Sequence, residues 1–455
     1  MSVSGSAISS IVGNLAADVG TGINVQAVVQ EIIAADSTPL DEMQSQQSLF
    51  SSQTSALQNI SSLMSTLQTS IQSLSDTGSA IGAQAATSSN TDVVTATGSN
   101  TAVPGTHTIV VNNLATTSSY YTQNEQKSAT STLATGSFDI QMAGASSPTV
   151  IPVDSADGTN TLNGLASYIN SQGLGVTANI ITDSGGSRLS LVSNTSGAAG
   201  NFTVSSDTTG LGFTQPAANI GVDASVTVDG VPIDSSTNTV TSAIPGVTLN
   251  LLSAPQNTNV SVTVGPDTTQ ITGAINTFVS SYNAVVQAIN NQYAVNSSSQ
   301  QGVLASDSTL ASVQTTLSND INFSYPSNPN FINLASMGIN MNDDGTLTID
   351  SSTLNSSITT NYQSFVNFFQ NSTSTGFAQT FNSDLNTMLS PAGLIATDVN
   401  GIGQSIQSLT DQISQFQANL SAQQTSLTTE FSQINATLEE LPTLENQVTG
   451  ELSGA

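Results

Sequence analysis

The C-terminal part of the chain carries a heptad repeat, and this pattern restricts the fold more than any other feature of the sequence. Apolar residues recur at alternating steps of three and four, at Val399, Ile402, Ile406, Leu409, Ile413, Phe416, Leu420 and Leu427. One expected position, Gln423, is polar, and the repeat resumes one residue out of phase at Phe431, Ile434, Leu438 and Leu441. Such an offset is typical of a four-residue stutter. The pattern predicts one long helix with a narrow apolar stripe.

A polar helix with one apolar stripe needs a partner, because alone it is marginal in water. A similar stripe lies near the other end of the chain, at Leu40, Met43, Gln47, Phe50, Thr54, Leu57, Ile60, Met64, Leu67, Ile71 and Leu74. Pro39 follows two candidate caps, Ser37 and Thr38, at a position that a first helical turn tolerates. We therefore expect a helix from Thr38 to Leu74, roughly 55 Å long at about 1.5 Å per residue. An ordinary helical-bundle core is the alternative interpretation.

We call the apolar residues that would join the two helices the terminal seam, and we take them as candidate assembly residues. They are Leu40, Met43, Phe50, Leu57, Met64, Leu67, Ile71, Ile402, Ile406, Leu409, Ile413, Phe416, Leu420 and Leu427. A charge placed among them would be buried at a cost, so Leu57→Asp and Leu409→Asp are expected to disrupt the pairing.

Between the terminal helices the apolar period changes to two, which is typical of strands. At 455 residues the chain is long enough for about three domains. Strand patterns extend from about Asp92 to Pro266, interrupted by one short helix from Leu162 to Asn170. Helix resumes near Thr268, and a small hairpin is expected around Gly345.

The predicted fold class is α+β. The N- and C-terminal helices pair as an antiparallel coiled-coil or helical-bundle stalk, and two β-rich head domains are inserted between them. The predicted limits are 1–36 for a mobile N-terminal leg segment, 37–90 for the N-terminal stalk helix, 91–128 with 215–266 for the first β head, 129–214 for the second β head, 267–430 for a helical stalk domain with the small hairpin, and 431–455 for a C-terminal leg segment.

Basic residues are nearly absent from the chain. The sequence has 2 Lys plus Arg against 30 Asp plus Glu, which gives a formal net charge of −28 at pH 7. Lys127 and Arg188 cannot form a basic patch, so nucleic acid and anionic membrane surfaces are not expected as partners. Only 7% of the residues are charged, and Ser, Thr, Asn and Gln supply most of the polarity.

Several other classes of protein are excluded by what the sequence lacks. The chain has no Cys, which rules out disulfides and thiolate metal sites. The start, MSVSGSAISSIVGNLAADVG, has neither the basic region nor the long apolar run of an ordinary secretory signal. No segment reaches the ~18–20 continuous apolar residues of a membrane span. The few cations and many hydroxyls nonetheless favour an exported protein over a cytosolic one.

Candidate catalytic and metal-binding residues are few. His107 is the only histidine and the residue that a Ser–His–acid arrangement would have to use, but its surroundings favour a rim position on a strand. Asn340, Asn342, Asp344 and Gly345 partly imitate a calcium loop, although the first position is Asn and the twelfth is not Glu. A plain hairpin turn is the preferred interpretation. We therefore predict no enzyme activity, no cofactor and no metal site.

The sequence resembles the flagellar filament cap proteins, also called flagellar hook-associated protein 2. The opening motif is similar in GTGINVQAVVQEIIAADSTPLDEMQSQQS, and the first head strands are similar in VPGTHTIVVNNLA. The C-terminal half resembles the family in the same order, in FVSSYNAVVQAIN, GVLASDSTLASVQTTL, LASMGINMNDDGTLTIDSSTLNSSI and SLTDQISQFQANLSAQQTSLTTEFSQINATLEEL. Where the helices of the family usually carry charge, this chain carries Gln, Ser and Thr.

The resemblance implies a homo-oligomeric cap, commonly a pentamer, at the extracellular tip of a growing flagellar filament. Its terminal helices would form legs on the filament end, its β heads would form a plate, and the cap would guide exported flagellin subunits into place. The implied partners are the chain itself, flagellin, the hook–filament junction proteins and a flagellar export chaperone. The chain would reach the tip unfolded, through the flagellar type III secretion channel.

Two alternatives remain open at this point. The β head could bind mucin or another glycan as a surface adhesin, a role that can coexist with a cap. Deletion of residues 92–266 would separate the two functions, because filament assembly could persist on the stalk whereas adhesion would be lost. An extracellular hydrolase is the third possibility, and the single histidine disfavours it.

The shortage of basic residues predicts that assembly tolerates acid. Below about pH 4 the carboxylates become protonated, and the chain then carries almost no charge instead of a strong positive one. We expect the soluble oligomer to persist at pH 3 as it does at pH 7, which analytical ultracentrifugation at the two pH values would measure. Loss of the oligomer at pH 3 would contradict an adaptation to acidic surroundings.

Overall fold

The computed structural model describes residues 24–75, 78–295, 300–371, 373 and 375–453. Two compact units emerge. The helical unit comprises the described residues of Met1–Asp76, Ala274–Ser357 and Gln363–Ala455, and the β unit comprises those of Thr77–Gly273 with Ile358–Tyr362. Residues 1–23, which hold the glycine-rich part of the predicted mobile leg, lie outside the described residues. None of the helices in the described ranges is long and apolar enough to cross a membrane.

The helices confirm the two predicted terminal elements. In chain order the α-helices are α1 (Val25–Asp36), α2 (Thr38–Ser75), α3 (Leu162–Ser171), α4 (Thr268–Tyr293), α5 (Ser308–Ile321), α6 (Ser351–Thr360), α7 (Tyr362–Phe369), α8 (Phe377–Leu389) and α9 (Leu394–Ser453). The predicted N-terminal stalk helix is α2. The predicted C-terminal helix is α9, which continues through Pro442 to the end of the described residues.

Polar side chains complete the backbone hydrogen bonding of these helices. The carboxylate of Asp307 accepts a bond of 2.7 Å from the backbone N–H of Thr309 and so caps a free donor at the start of α5. Within α2 the Ser51 hydroxyl donates to the carbonyl of Gln47, four residues earlier, at 2.9 Å. The same pattern recurs along α9. Helices rich in Ser and Thr thereby keep their hydroxyl groups hydrogen bonded without charged neighbours.

The core of the helical unit is aromatic. Phe278 of α4, Phe368 of α7, and Phe377 and Phe381 of α8 are each at most 1% exposed. The rings of Phe278 and Phe377 meet edge to face at a centroid distance of 5.7 Å, and those of Phe368 and Phe377 stack at 5.8 Å. Because such ring contacts add to the stabilisation that burial provides, they hold α4, α7 and α8 together.

The predicted small hairpin is confirmed and lies against α4. Strands Ile339–Met341 and Leu347–Ile349 pair antiparallel, and Gly345 between them has a φ of +81°, a conformation that favours glycine. The side-chain amide of Asn283 in α4 donates to the carbonyl of Leu347 at 2.8 Å and accepts from its N–H at 2.6 Å. This two-way contact fixes the hairpin on the helical unit.

The β unit contains the remaining strands. In chain order the strands are β1 (Gln84–Ser88), β2 (Val94–Gly98), β3 (Gly105–Asn113), β4 (Thr117–Thr122), β5 (Gly136–Met142), β6 (Thr149–Val153), β7 (Val176–Thr182), β8 (Ser187–Ser196), β9 (Phe202–Ser205), β10 (Phe213–Thr214), β11 (Ala224–Val228), β12 (Val231–Ser235), β13 (Thr239–Ile244), β14 (Val247–Leu251) and β15 (Val260–Pro266), with β16 and β17 forming the hairpin. Every strand pairing described in these sheets is antiparallel.

Two separate apolar cores confirm the two predicted β heads. The five-stranded sheet β1-β15-β3-β11-β12 and the three-stranded sheet β13-β14-β2 share a core of Val, Ile, Leu and Ala side chains. The sheets β10-β4-β8-β7 and β6-β5-β9 share the second core with α3, whose Leu162, Leu165 and Ile169 are completely buried. In α3 the Asn170 amide pairs in both directions with the backbone of Ala178 on the outer edge of β7.

Two of the predicted domain limits need correction. Strand β1 lies within the range 37–90 assigned to the stalk helix, but it pairs along its whole length with β15. Strand β4 lies within the range 91–128 assigned to the first head, but it pairs with β8 in the second core. The sequences of both strands, QAATS and TSSYYT, are polar and show little alternation, so their partners decide their conformation.

Candidate assembly site

The two ends of the described chain lie side by side and run in opposite directions. The side-chain amide of Gln423 in α9 donates to the carboxylate of Asp36 at the end of α1, at 2.7 Å. The amide of Gln47 in α2 donates to the hydroxyl of Thr410 in α9, also at 2.7 Å. From the first contact to the second the residue number rises on the N-terminal side and falls in α9. The antiparallel pairing predicted from the two stripes is thereby confirmed, and the polar Gln423 has a polar partner.

The register explains which seam residues can meet α9. Gln58 and Ser61 of α2 line one cavity with Ile395 and Val399, at the beginning of α9. Further along α2 there is no α9 left to contact, and α2 contacts α8 instead. Met64, Leu67 and Ile71, each 0% exposed, therefore belong to the helical-bundle core, as the alternative interpretation of the stripe proposed.

The remaining seam residues lie along the α2–α9 pair. Leu57 is 1% exposed, Leu409 8% and Ile413 9%. The others are half-buried, and they are Leu40, Met43, Phe50, Ile402, Ile406, Phe416, Leu420 and Leu427. Helix α1 adds a contribution that the seam prediction missed, because its Val28 and Val29 are each 2% exposed and the helix contacts α9. This part of the predicted mobile leg is a packed helix.

Beyond Phe431 the stripe of α9 becomes exposed. We call its exposed continuation the distal stripe; it consists of Ile434 (43% exposed), Leu438 (42%), Leu441 (52%), Leu444 (53%) and Val448 (56%). The last two were not predicted, because the repeat was followed only as far as Leu441. Their spacing of three and four residues after Leu441 was the available signal. Large apolar side chains exposed in a row typically mark a surface that binds a partner.

The chemistry of the helical unit limits how it can bind. The basic side chains Lys127 and Arg188, and also His107, all lie in the β unit. Among the described residues the ion pairs are His107 with Asp229 and Arg188 with Glu125, again in the β unit. The helical unit therefore offers apolar side chains, amides and hydroxyls to a partner, together with carboxylates that only a partner's cations could pair with.

The structure gives His107 a structural contact. Its Nδ1 lies 2.7 Å from Oδ2 of Asp229, and Oδ1 of Asp229 accepts from the backbone N–H of Thr108 at 2.8 Å. These hydrogen bonds, the one from His107 first, lower the pKa of Asp229. Asp229 sits in the β11–β12 turn with a φ of +52°, so the contact joins this turn to β3.

The calcium-like sequence is used as a turn. The Asp344 carboxylate accepts from the backbone N–H of Thr346 at 3.0 Å and from its hydroxyl at 2.6 Å, and these bonds lower the pKa of Asp344. Asn342 donates its side-chain amide to the same hydroxyl at 2.9 Å. Within the described ranges no group of three or more His, Cys, Asp or Glu side chains is placed to hold a metal ion.

Comparisons with known families agree with a chain whose N- and C-terminal parts are separated by a central β region. Residues 21–118 match the family described as the N-terminus of flagellar hook-associated protein 2, and residues 221–443 match the one described as its C-terminus. Residues 137–195, within the second β core, match the flagellin hook IN motif. None of these three descriptions names adhesion or glycan binding.

Similar proteins and structures carry the same names. The chain is 29% identical to flagellar hook-associated protein 2 of Escherichia coli K12, over 95% of this chain and 96% of that protein. It is 26% identical to the B-type flagellar hook-associated protein 2 of Pseudomonas aeruginosa, over 82% and 83% respectively. The crystal structure of the D1, D2 and D3 domains of the flagellar cap protein FliD from Escherichia coli is similar with a TM-score of 0.60 and 28% identity, covering 76% of this chain and 99% of that one.

The buried part of the seam predicts a strong effect of charge. Leu57→Asp and Leu409→Asp each place a carboxylate in an apolar contact, and we expect each to lower the free energy of unfolding by about 3 kcal/mol or more. Leu49→Asp is the matched control, because Leu49 lies on α2 and is 45% exposed. Thermal unfolding of the three variants measures the difference. Equal melting temperatures for the Leu57 and Leu49 variants would contradict the assignment.

Proposed function

Since the chain belongs to the flagellar hook-associated protein 2 family, the family of the flagellar filament caps, we propose that it is a non-enzymatic cap at the distal end of a bacterial flagellar filament. There it promotes the folding and insertion of exported flagellin subunits. The observation that carries this proposal is the apolar stripe of α9. The N-terminal part of the stripe is buried against α1 and α2, and its distal part is exposed.

A stripe that is buried at one end of α9 and exposed at the other suits a protein that must keep its own fold while it binds a partner. At about 1.5 Å per residue, the 60 residues of α9 span roughly 90 Å. The first part of the helix is fixed by the contacts of α1 and α2. The distal stripe then presents five large apolar side chains that the described part of the chain leaves exposed. We assign this stripe to the contact with the end of the filament.

The binding that this surface supports is mainly apolar. Apolar burial contributes about 25 cal/mol per Å², whereas interactions between exposed charges weaken as salt rises. The distal stripe has no basic side chain beside it, so its contact with flagellin depends little on ionic strength. A cap that works by such contacts can release and rebind without breaking specific salt bridges.

The other partners follow from family membership. We propose that the chain assembles with copies of itself as a pentamer, that it follows the hook–filament junction proteins onto the growing structure, and that an export chaperone delivers it to the flagellar type III secretion channel. The absence of cysteine from the sequence supports this route, because no disulfide would have to be broken before the chain travels unfolded.

The distal stripe provides the test of the cap function. A variant with Leu438→Ser and Leu444→Ser keeps the buried seam intact, so we expect normal folding in circular dichroism. In cells that make it as their only cap protein, we expect short filaments, loss of swimming, and unpolymerised flagellin in the medium. Filament length in electron micrographs and flagellin in the culture supernatant measure the effect.

The matched control changes two exposed residues on the other side of the same helical turns. Glu439 and Asn446, each changed to Ser in this control, are both exposed and lie roughly opposite the stripe at about 100° per residue. Cells with this control are expected to swim normally. Filaments of normal length in the Leu438 and Leu444 variant would contradict the assignment of the distal stripe to the filament contact.

A further inference from the structure

A buried carboxyl pair lies at the end of helix α5. Asp320, in the last turn of α5, is 8% exposed, and its Oδ2 is buried without a hydrogen-bond partner in the described part of the chain. The carboxyl group of Asp384 in α8 lies near enough to raise the pKa of Asp320 further, after burial. The phenol of Tyr282 in α4, which is 1% exposed, also faces it. A negative charge here would be buried beside another carboxylate and at the C-terminal end of a helix dipole, and all three conditions are unfavourable.

A second carboxyl pair lies at the start of the same helix. Asp398, in the first turns of α9, has a buried Oδ2 without a partner among the described residues. It is close to the carboxyl group of Asp307, which caps α5, and to the hydroxyl of Thr309. The two pairs thus bracket α5 and connect its ends to α8 and α9. No Lys, Arg or His of the sequence belongs to this unit to neutralise them.

We propose that these two pairs act as a proton-dependent lock that holds α5 to α8 and α9. When each pair shares one proton, one carboxyl group donates a hydrogen bond to the other and the pair carries one negative charge instead of two. When both members are ionised, like charges meet in a partly buried contact and push the helices apart. The groups that face the lock are Asp384 and Tyr282 at one end and Asp307 at the other.

The direction of the pH effect follows from the protonation of each pair. Burial, and after it the neighbouring carboxyl group of Asp384, raises the pKa of Asp320 from 3.8 to about 8. Burial is also the largest cause that raises the pKa of Asp398; the hydroxyl of Thr309 lowers this pKa, and the carboxyl group of Asp307 raises it. A raised pKa means that the folded protein holds a proton that the unfolded chain has lost. The stabilisation is therefore complete below about pH 4 and disappears as the pH rises through about 8. Stability falls with rising pH in this window.

The lock gives the cap a fold that tightens outside the cell. Near neutral pH, as in the cytoplasm, α5 is held less firmly, and the chain unfolds more readily for export. In acidic surroundings the pairs take up protons and the helical unit becomes firmer where it has to hold its position. This use of the lock depends on the proposed cap function, but the lock itself is a property of the isolated chain.

The test compares wild-type protein with Asp320→Asn and Asp398→Asn combined, which imitates the protonated pairs. We expect the wild-type melting temperature to fall by about 5 °C or more between pH 5 and pH 8, and the double variant to lose most of that fall. The control, Asp411→Asn with Glu430→Gln, removes two exposed carboxylates of α9 and should keep the wild-type slope. Equal slopes for the double variant and the wild type would overturn the proposal.

A second measurement needs no variant. Hydrogen exchange of the wild-type protein, corrected for the intrinsic effect of pH, should show protection of residues 308–321 falling by about tenfold more between pH 5 and pH 8 than that of β8 in the β unit. An equal change in both segments would also overturn the lock. Because both measurements use purified chain without flagellin, they stand apart from the swimming test of the cap function.

Discussion

The antiparallel contact of α1 and α2 with α9 is the interaction on which the rest of the molecule depends. It brings together residues near 36 and 423, and residues near 47 and 410, which are as far apart in the sequence as any contact described here. Closing so large a loop costs entropy, and the apolar seam offsets that cost. Once the ends are joined, the β region in the middle of the sequence becomes an insertion, and α9 is held firmly enough to present its distal stripe.

The same contact shows how a chain with two basic side chains builds a long helical pair. In most coiled coils, charges beside the seam select the partner and the register. Here side-chain amides do so, with Gln47 donating to the hydroxyl of Thr410 and Gln423 donating to the carboxylate of Asp36. The bond from Gln47 to Thr410 joins two neutral groups and keeps its strength when carboxylates become protonated, as does the apolar seam, so the pairing is compatible with acid. The carboxyl pairs at the two ends of α5 also favour acid, since they are most stable when they hold a proton.

The periodic segments of the fold could be predicted from the sequence, and the segments without a period could not. The heptad repeats predicted α2 and α9, and the alternation of apolar residues predicted the central strands of both cores. Strands β1 and β4 carry few apolar residues and depend on β15 and β8 for their conformation. Within the candidate site, the sequence showed the apolar stripe of α2. It did not show which part of the stripe contacts α9 and which part contacts α8, because this depends on where α9 begins, as at Met64. The pairing of Asp320 with Asp384 depends on tertiary packing, and no local pattern marks it.

The register of the terminal pair can be measured directly. Since the sequence contains no cysteine, Gln47→Cys with Thr410→Cys introduces one defined pair, at positions whose side chains are hydrogen bonded at 2.7 Å. Under mild oxidation we expect rapid formation of a disulfide within one chain, and none when Gln47→Cys is combined with Thr425→Cys, roughly 22 Å further along α9. Crosslinking of the second pair instead of the first, or of neither, would contradict the antiparallel stalk and the cap assignment that rests on it.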